Sequence, residues 1–346
     1  MIFSKTLIHW YSNNKRSLPW RKTNNPYHIW LSEIILQQTQ VKQGLPYYEA
    51  FISKFPTVFV LAKANESDIL KLWQGLGYYS RARNLHVSAK YIANDLKGVF
   101  PDNYKDLLKL KGVGDYTASA IASICYNEVA AVVDGNVYRV LSRYFGIDTP
   151  INSSKGAKTF KALAQELIDK KEPADFNQAI MEFGATQCKP KNPYCHICPF
   201  KHSCIAFNKN RIHELPVKIK SAKAKKKYFN FLVFISEDEK TILEKREGKG
   251  IWQNLYQFPL IETERRVTEK GFKTLVDKYD VLKDVSFEMA LYNKEAIVHK
   301  LSHQHLYTNF WIVNVKKLHV KGVSLSNVHE FAVPVLIGNF IKNFNF

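Results

Sequence analysis

The stretch LLKLKGVGDYTASAIASICYNEVAAVVDGNVYRVL, residues 107–141, constrains this chain more than any other. Leu107, Leu108 and Leu110 end one apolar helical face, and Thr117, Ala118, Ala120, Ile121, Ala122 and Ile124 form a second, built largely from small residues. Between them Gly112 and Gly114 flank the single apolar Val113. Two glycines around one apolar residue make a tight hairpin whose N–H groups face outward at a helix N-terminus, a place for an anion such as a phosphate. Asp134 follows the apolar run from Val129 to Val133 and precedes a helix opening at about Asn136. The dipole of that helix favours a charged carboxylate. An ordinary helical hairpin with Asp134 as a cap fits the same residues, so the weight falls on what surrounds them.

Charge narrows the partner. Across 346 residues Lys plus Arg number 50 against 31 Asp plus Glu, a formal net charge of +19. On a chain long enough for two or three domains, that balance favours a polyanion, nucleic acid before membrane surface. No apolar run approaches the ~20 residues that span a bilayer, so no membrane partner is expected. The opening MIFSKTLIHWYSNNKRSLPW lacks the continuous apolar run and cleavage site of a secretory signal. Ile2, Phe3, Leu7 and Trp10 instead fit one face of a docked helix. A cytoplasmic, nucleoid-associated location is the expectation.

Residues 1–205 carry helical periodicity nearly throughout, with helices predicted at 29–38, 46–55, 66–73, 81–94, 104–110, 115–125, 136–144, 158–169 and 176–184. Between 206 and 227 the texture changes. Pro216 is followed by Lys218, Lys220, Lys223, Lys225, Lys226 and Lys227 without one acid. This reads as a basic interdomain linker, usually a solvated tether but able to touch phosphates. From 228 the pattern is β, with strands at 228–235, 241–246, 295–301 and around 310–315, and a helix near 268–279. The expected architecture is a large α domain (1–205), the linker (206–227) and a smaller α+β domain (228–346).

Four of the five cysteines, Cys188, Cys195, Cys198 and Cys204, crowd into one loop as C-x6-C-x2-C-x5-C. So dense a set suits a metal or cluster site better than disulfides. Four thiolates from one short loop can wrap a [4Fe–4S] cube or hold one zinc, the commoner occupant. Lys189, Lys191, Lys201 and His202 make the loop basic, suited to a phosphate backbone. Cys125, among Ile121, Ile124 and alanines, reads as core.

In this order the glycine hairpin, Asp134 and the cysteines resemble the endonuclease III superfamily of DNA glycosylases, whose iron–sulfur loop has this cysteine spacing. Within it, residues 1–205 are similar to the MutY adenine DNA glycosylases. LPW (18–20), WLSEIILQQTQV (30–41), GLGYYSRARNL (75–85), LKGVGDYTASAI (110–121) and VVDGNVYRVL (132–141) carry the likeness. The resemblance implies a mostly α, helix-hairpin-helix glycosylase fold, with a six-helix module at about 21–130 and a cluster module from 1–20 and 131–205. It implies one [4Fe–4S] cluster on the four cysteines, and a monomer acting on double-stranded DNA that holds adenine opposite 8-oxoguanine or guanine.

Breaking an N-glycosidic bond takes an acid to protonate the departing base and a negative charge beneath the oxocarbenium-like sugar. Glu33 sits among Trp30, Leu31, Ile34, Ile35 and Leu36, where desolvation should raise its pKa. Asp134, beside a helix N-terminus, should stay ionised, so the two carboxyls are expected to be pushed in opposite directions. A helix-surface Glu33 is the plainer alternative. By resemblance Glu33 protonates adenine and then activates water, while Asp134 stabilises the sugar cation or bonds it transiently. Trp20, Arg21 and Gln178 match positions around the extruded adenine, and Asn136 a position supporting the sugar site. Gln38 and Tyr78 match residues that enter the duplex at the opposite base; of Tyr78 and Tyr79, one is expected to be plain core. Gly112, Val113 and Gly114 are expected on the DNA backbone, joined by Lys189 and Lys191. Where bifunctional relatives place a Schiff-base lysine this chain has Tyr116, which has no amine, so a monofunctional enzyme is implied.

Residues 228–346 resemble the Nudix-like C-terminal domain of the MutY family, best over GIWQNLYQFP (250–259). A working Nudix hydrolase needs a metal-binding R-E-x-x-E-E helix. LIETERRVTEKGFKTLV, after Pro259, has scattered acids but no such array, so this domain should bind rather than hydrolyse. KLSHQHLY (300–307) matches the family's phenylalanine-serine-histidine loop that inspects 8-oxoguanine. Leu301 replaces the phenylalanine; Ser302 and His303 remain, able to hydrogen-bond a purine edge. His303 and His305 also fit a surface histidine pair. Competing readings are an endonuclease III-like glycosylase and lyase on oxidised pyrimidines, opposed by Tyr116, and a non-catalytic iron–sulfur DNA-binding protein, opposed by Glu33 with Asp134.

Overall fold

The computed structural model describes residues 2–220, 223–276, 280–282, 285–344 and 346. Packing divides the chain into two compact units, Met1–Lys63 with Asn84–Lys220, and Ala64–Arg83 with Ser221–Phe346. The first is all helical. Its helices are α1 (Ile2–Asn14), α2 (Pro26–Leu36), α3 (Val41–Lys54), α4 (Val58–Lys63), the body of α6 (Ser80–Asn94, after α5 at Glu66–Leu72), α7 (Tyr104–Leu107), α8 (Asp115–Tyr126), α9 (Gly135–Phe145), α10 (Ser154–Leu167), α11 (Pro173–Thr186) and the short α12 (Ile205–Asn208). Caps explain many starts. Asn25 accepts from the Tyr27 N–H, Asp134 from those of Asn136 and Val137, and Ser153 from that of Gly156.

Every helix predicted for this region is present, with shifted ends. The largest shift is in α3, predicted from residue 46. Here the helix starts at Val41 and runs through Pro46. Phe3, Leu7, Tyr11, Phe160, Phe176 and Phe183 build one core, which also takes Phe200 from the cysteine loop. Helix α1 docks as expected, except that Ile2 is 87% exposed. It begins the helix and lies beyond the edge of the core.

The second unit centres on two long strands, β1 (Lys225–Ser236) and β8 (Gln304–Val315), paired in parallel over their whole length. Antiparallel neighbours extend the sheet in the order β5 (Leu260–Thr263), β1, β8, β6 (Phe287–Leu291), with β7 (Ile297–Lys300) also on β8. The predicted strand at 241–246 is two short pieces, β2 (Lys240–Thr241) and β3 (Glu244–Lys245), which pair with β9 (Val323–Ser324) and β4 (Tyr256–Gln257). Helix α13 (Glu269–Val276) packs Phe272 on Trp311 of one sheet face, with ring centroids 4.4 Å apart. Helix α14 (Val335–Phe344) packs Phe340 on Phe310 of the other, at 4.1 Å. The helix expected near 268–279 thus appears as α13, its last three positions lying outside the described residues. The predicted linker's three lysines at 225–227 already belong to β1.

Residues 64–83 join this unit through named bonds. The Lys71 ammonium donates to the Phe331 carbonyl at 3.0 Å, Asn254 donates to the Glu66 carboxylate at 2.6 Å, and Arg83 donates to the Gln253 carbonyl at 2.9 Å. Among the described residues no helix is long and apolar enough to cross a membrane.

Candidate active site

A cavity of about 160 Å3 in the first unit is lined by Glu33, Tyr116, Asp134, Asn136, Gln178, Trp20 and Arg21, together with Arg16, Met181 and Glu182. Seven residues spread between positions 20 and 178 of the sequence therefore share one space.

Glu33 projects from α2 and is 7% exposed. The Tyr116 hydroxyl, from α8, donates to its Oε2 at 2.7 Å and lies 3.1 Å from the Met181 sulfur. Burial pushes the Glu33 carboxyl up to about 7, against the Tyr116 bond and Arg21 and with help from the Asp134 charge. Asp134 caps α9. Its Oδ1 accepts from the N–H groups of Asn136 (2.9 Å) and Val137 (2.8 Å), and its Oδ2 from the Asn136 side chain (2.8 Å). Burial raises this carboxyl too, with the three hydrogen bonds opposing it. The expectation of opposite shifts is thus corrected: both carboxyls are pushed upward, because both are desolvated. The difference between them lies in donors. Three hydrogen bonds stabilise ionised Asp134 and one stabilises ionised Glu33.

Beside them lies a clamp that the sequence reading did not find. Glu182 of α11 is fully buried and bound at both oxygens by Arg16, at 2.7 Å each, and at Oε2 by Arg21, also at 2.7 Å. Burial alone would raise Glu182, but the two arginines bring it to about 2. Arg21 also donates to the Arg16 carbonyl at 3.1 Å, so its guanidinium is fixed. The Tyr11 hydroxyl donates to Gln178 Oε1 at 3.1 Å, fixing that amide, and Trp20 packs edge-on to Tyr48 at 5.1 Å. Glu182 carried the same signal as Glu33, an acid inside an apolar helical stretch (Ile180, Met181, Phe183). Arg16 carried none.

Helix α9 continues outward from Asp134. Arg139 donates to Asn136 Oδ1 and to the Cys188 carbonyl, both at 2.8 Å, and also to the Gly184 carbonyl. One turn on, Arg143 donates to the carbonyls of Lys189 (2.8 Å) and Pro190 (3.1 Å) and reaches Cys188 Sγ at 3.5 Å. Gly184 permits this packing, since a Cβ there would stand 2.6 Å from the Cβ of Asn136.

Cys188, Cys195, Cys198 and Cys204 line one small cavity, walled by Val140, Phe183 and Phe200. Among the described residues no three His, Cys, Asp or Glu side chains converge as ligands of a single metal ion. A zinc would gather four sulfurs about 2.3 Å from one point. The soft donor set fits a metal–sulfur group. Lys189 sits 3.8 Å over the Tyr194 ring, while Lys191 is exposed.

The hairpin forms as expected between α7 and α8. Gly112 has φ +81°, and a Cβ there would stand 2.7 Å from that of Asn84, so glycine is required twice over. Gly114 caps α8 without a side chain to block its N–H groups. Val113 is buried, leaving only its backbone to meet a ligand. Asp115, next in line, is paired with Lys161 at 2.9 Å.

Gln38 stands exposed in the turn after α2 at φ +54°. In the second unit, Tyr78 (φ +47°, 49% exposed) shares a cavity of about 560 Å3 with Leu301, Ser302 and His303. Tyr79 is buried there, and its hydroxyl donates to the Val333 carbonyl at 3.4 Å. Ser302 Oγ lies 3.3 Å from His303 Nδ1. Trp252 and His299, which the sequence reading passed over, line the same cavity with rings 5.9 Å apart.

Residues 31–170 match the HhH-GPD superfamily of base excision DNA repair proteins, and residues 230–343 match the NUDIX domain. The chain is 35% identical over 317 residues to an adenine DNA glycosylase of Buchnera aphidicola subsp. Baizongia pistaciae, covering 90% of this chain and 86% of that one. Against the adenine DNA glycosylase of the Schizaphis graminum subspecies the identity is 34%, covering 99% of each chain. It belongs to the adenine DNA glycosylase family. Family membership agrees with the solved structures it is similar to. A thermostable thymine-DNA glycosylase matches 60% of this chain and 96% of its own at TM-score 0.56 and 33% identity. A non-covalent endonuclease III–DNA complex matches at TM-score 0.52 and 22% identity, a likeness of fold alone. The helix-hairpin-helix glycosylase fold with a Nudix-like C-terminal part is therefore the architecture of this family member.

Proposed function

We propose that this chain hydrolyses the N-glycosyl bond of adenine mispaired with 8-oxoguanine or guanine in duplex DNA. The observation that carries the reading is the single cavity holding Glu33 with one donor and Asp134 with three. Tyr116 occupies Oε2 of Glu33, leaving Oε1 to carry the acidic proton to the departing base. Ionised Asp134, held by Asn136 and the start of α9, stabilises the positive sugar. Glu33, left as carboxylate, then takes a proton from the attacking water. Trp20, Arg21 and Gln178 are the base-pocket residues, rigid because each is already fixed by a neighbour. The relatives named adenine DNA glycosylase support adenine as the base. Gly112, Val113 and Gly114 offer backbone N–H groups to a phosphate, with Lys189 and Lys191 adding charge. Gln38, Tyr78, Leu301, Ser302 and His303 are assigned to the opposite base. The enzyme acts as a monomer in the DNA compartment, the cytoplasm and nucleoid.

Cys188, Cys195, Cys198 and Cys204 hold a [4Fe–4S] cluster in this reading, a structural group that orders the basic loop. The residues fit it through four soft donors around one cavity, backed by Arg143. Iron and sulfide analysis of purified protein should find about four of each per chain. Zinc without iron would contradict the assignment.

Single-turnover base release from a duplex with one adenine opposite 8-oxoguanine tests the chemistry. Glu33→Gln should lower the rate about 10²–10⁴-fold and Asp134→Asn at least about 10²-fold. Wild-type rates in both variants would sink the mechanism. Because Tyr116 supplies no amine, the wild type should leave the strand intact, whereas Tyr116→Lys should cut it at the abasic product. A strand left uncut by Tyr116→Lys in a denaturing gel would count against that position.

A further inference from the structure

The segment from Glu128 to Val133 leads from α8 to Asp134, and among the described residues no strand pairs with it. Ala131 and Val132 are nonetheless buried, so their backbone groups need partners other than water. Side chains of two helices supply them. Gln165 of α10 donates to the Val129 carbonyl at 2.7 Å and accepts from the Ala131 N–H at 2.9 Å. Asn177 of α11 donates to the Ala130 carbonyl at 2.8 Å and accepts from the Val132 N–H at 3.1 Å. The Ala131 carbonyl accepts from the Lys161 ammonium of α10, at 2.7 Å.

Lys161 differs from the two amides in where else it reaches. Its ammonium also donates to Ser119 Oγ at 3.0 Å and to the Asp115 carboxylate at 2.9 Å. An ammonium has three N–H donors, and here three acceptors use them. Asp115 is the first residue of α8, directly after the hairpin. Its carboxylate accepts from the Tyr104 hydroxyl at 2.6 Å, and the Tyr104 N–H, at the start of α7, donates to the Glu128 carboxylate at 2.7 Å. A closed ring of contacts therefore runs from Lys161 through Asp115, Tyr104 and Glu128, and back along the segment to Ala131. It touches the first turn of both hairpin helices and returns just ahead of Asp134. As an ion pair, half-exposed Lys161–Asp115 adds little stability, because water screens it. Neutralising Asp115 would not require the same ammonium to serve a buried carbonyl of the segment that carries Asp134.

We infer that Lys161 is a positioning residue that fixes Asp134 at a set place relative to the strand held by the hairpin. The inference rests on the proposed roles of Asp134 and of the hairpin. Phosphate at Gly112–Gly114 brings negative charge toward Asp115. Lys161 neutralises Asp115 and, with the same ammonium, holds Ala131. Gripping the strand and placing the carboxylate beneath its sugar thus share one fixed point.

The full chain is titrated with two duplexes containing 8-oxoguanine. Opposite that base one carries a cationic pyrrolidine in place of the sugar, the other a neutral tetrahydrofuran. Their affinity ratio reads the negative charge placed under the sugar. Lys161→Met should lower the preference for the cation about 10- to 100-fold, and base release at saturating enzyme similarly, as expected for a displacement of about 1 Å. Removing a positive charge would by itself favour the cation, so the sign separates a misplaced Asp134 from plain electrostatics. Lys161→Arg, which keeps the charge and the donors, should restore most of the preference. Gln165→Met, an exposed change on the same segment, should also lower it and keeps the test valid if Lys161→Met misfolds. The inference alone is overturned if these methionine variants keep the wild-type ratio, or if Lys161→Arg does no better than Lys161→Met. A wild type without preference for the cation overturns the Asp134 reading, and the inference with it.

Discussion

The Glu33 carboxyl is buried between α2 and α8 with the Tyr116 hydroxyl as its donor, and this shortage of donors sets its acidity. A carboxylate in a cavity walled by Ile29, Leu36, Ile124 and Met181 loses most of its hydration, and one 2.7 Å hydrogen bond does not replace it. The consequence is a group near neutrality, able to give a proton and later take one back. Asp134 is also desolvated but sits where a helix begins, so backbone and side-chain N–H groups do the work of water. Two carboxyls in one cavity are thereby made chemically unlike by their donors. The clamp at Glu182 does a third thing with a third acid. Two arginines hold it ionised, and the price is that Arg21 is immobilised at the wall of the cavity that holds Glu33 and Asp134.

Position in this site is transmitted by α9. Its first residues bind Asp134, its second turn places Arg139 between Asn136 and the Cys188 carbonyl, and its third places Arg143 on the cysteine loop. The loop and Asp134 are thus braced by one rod. Arginine suits that brace, because its planar fork donates to several carbonyls at once.

The catalytic side was legible wherever the signal was local. Glu33 stood out as an acid inside an apolar helix, Asp134 as a cap and Gly112 as a turn. What stayed hidden depended on contacts between distant segments. The upward push on Asp134 comes from burial by other helices, and the Arg16–Glu182 pair joins residues 166 positions apart. Likewise no local pattern announces that Ala64–Arg83, helical and next to catalytic helices in sequence, packs with the C-terminal strands. Short strands such as β4 and β9, two residues each, lie below what an alternating pattern can signal.

The central claim is that burial, relieved by one donor at Glu33 and three at Asp134, divides the labour between the two carboxyls. Carbon-13 NMR of labelled glutamate, with Glu33→Gln to assign the resonance, reads Glu33 directly. The account predicts a transition near pH 7 that moves lower in Asp134→Asn, because removing the neighbouring negative charge eases ionisation. A Glu33 that titrates near the ordinary glutamate value of about 4.3, or that is indifferent to Asp134→Asn, would contradict it.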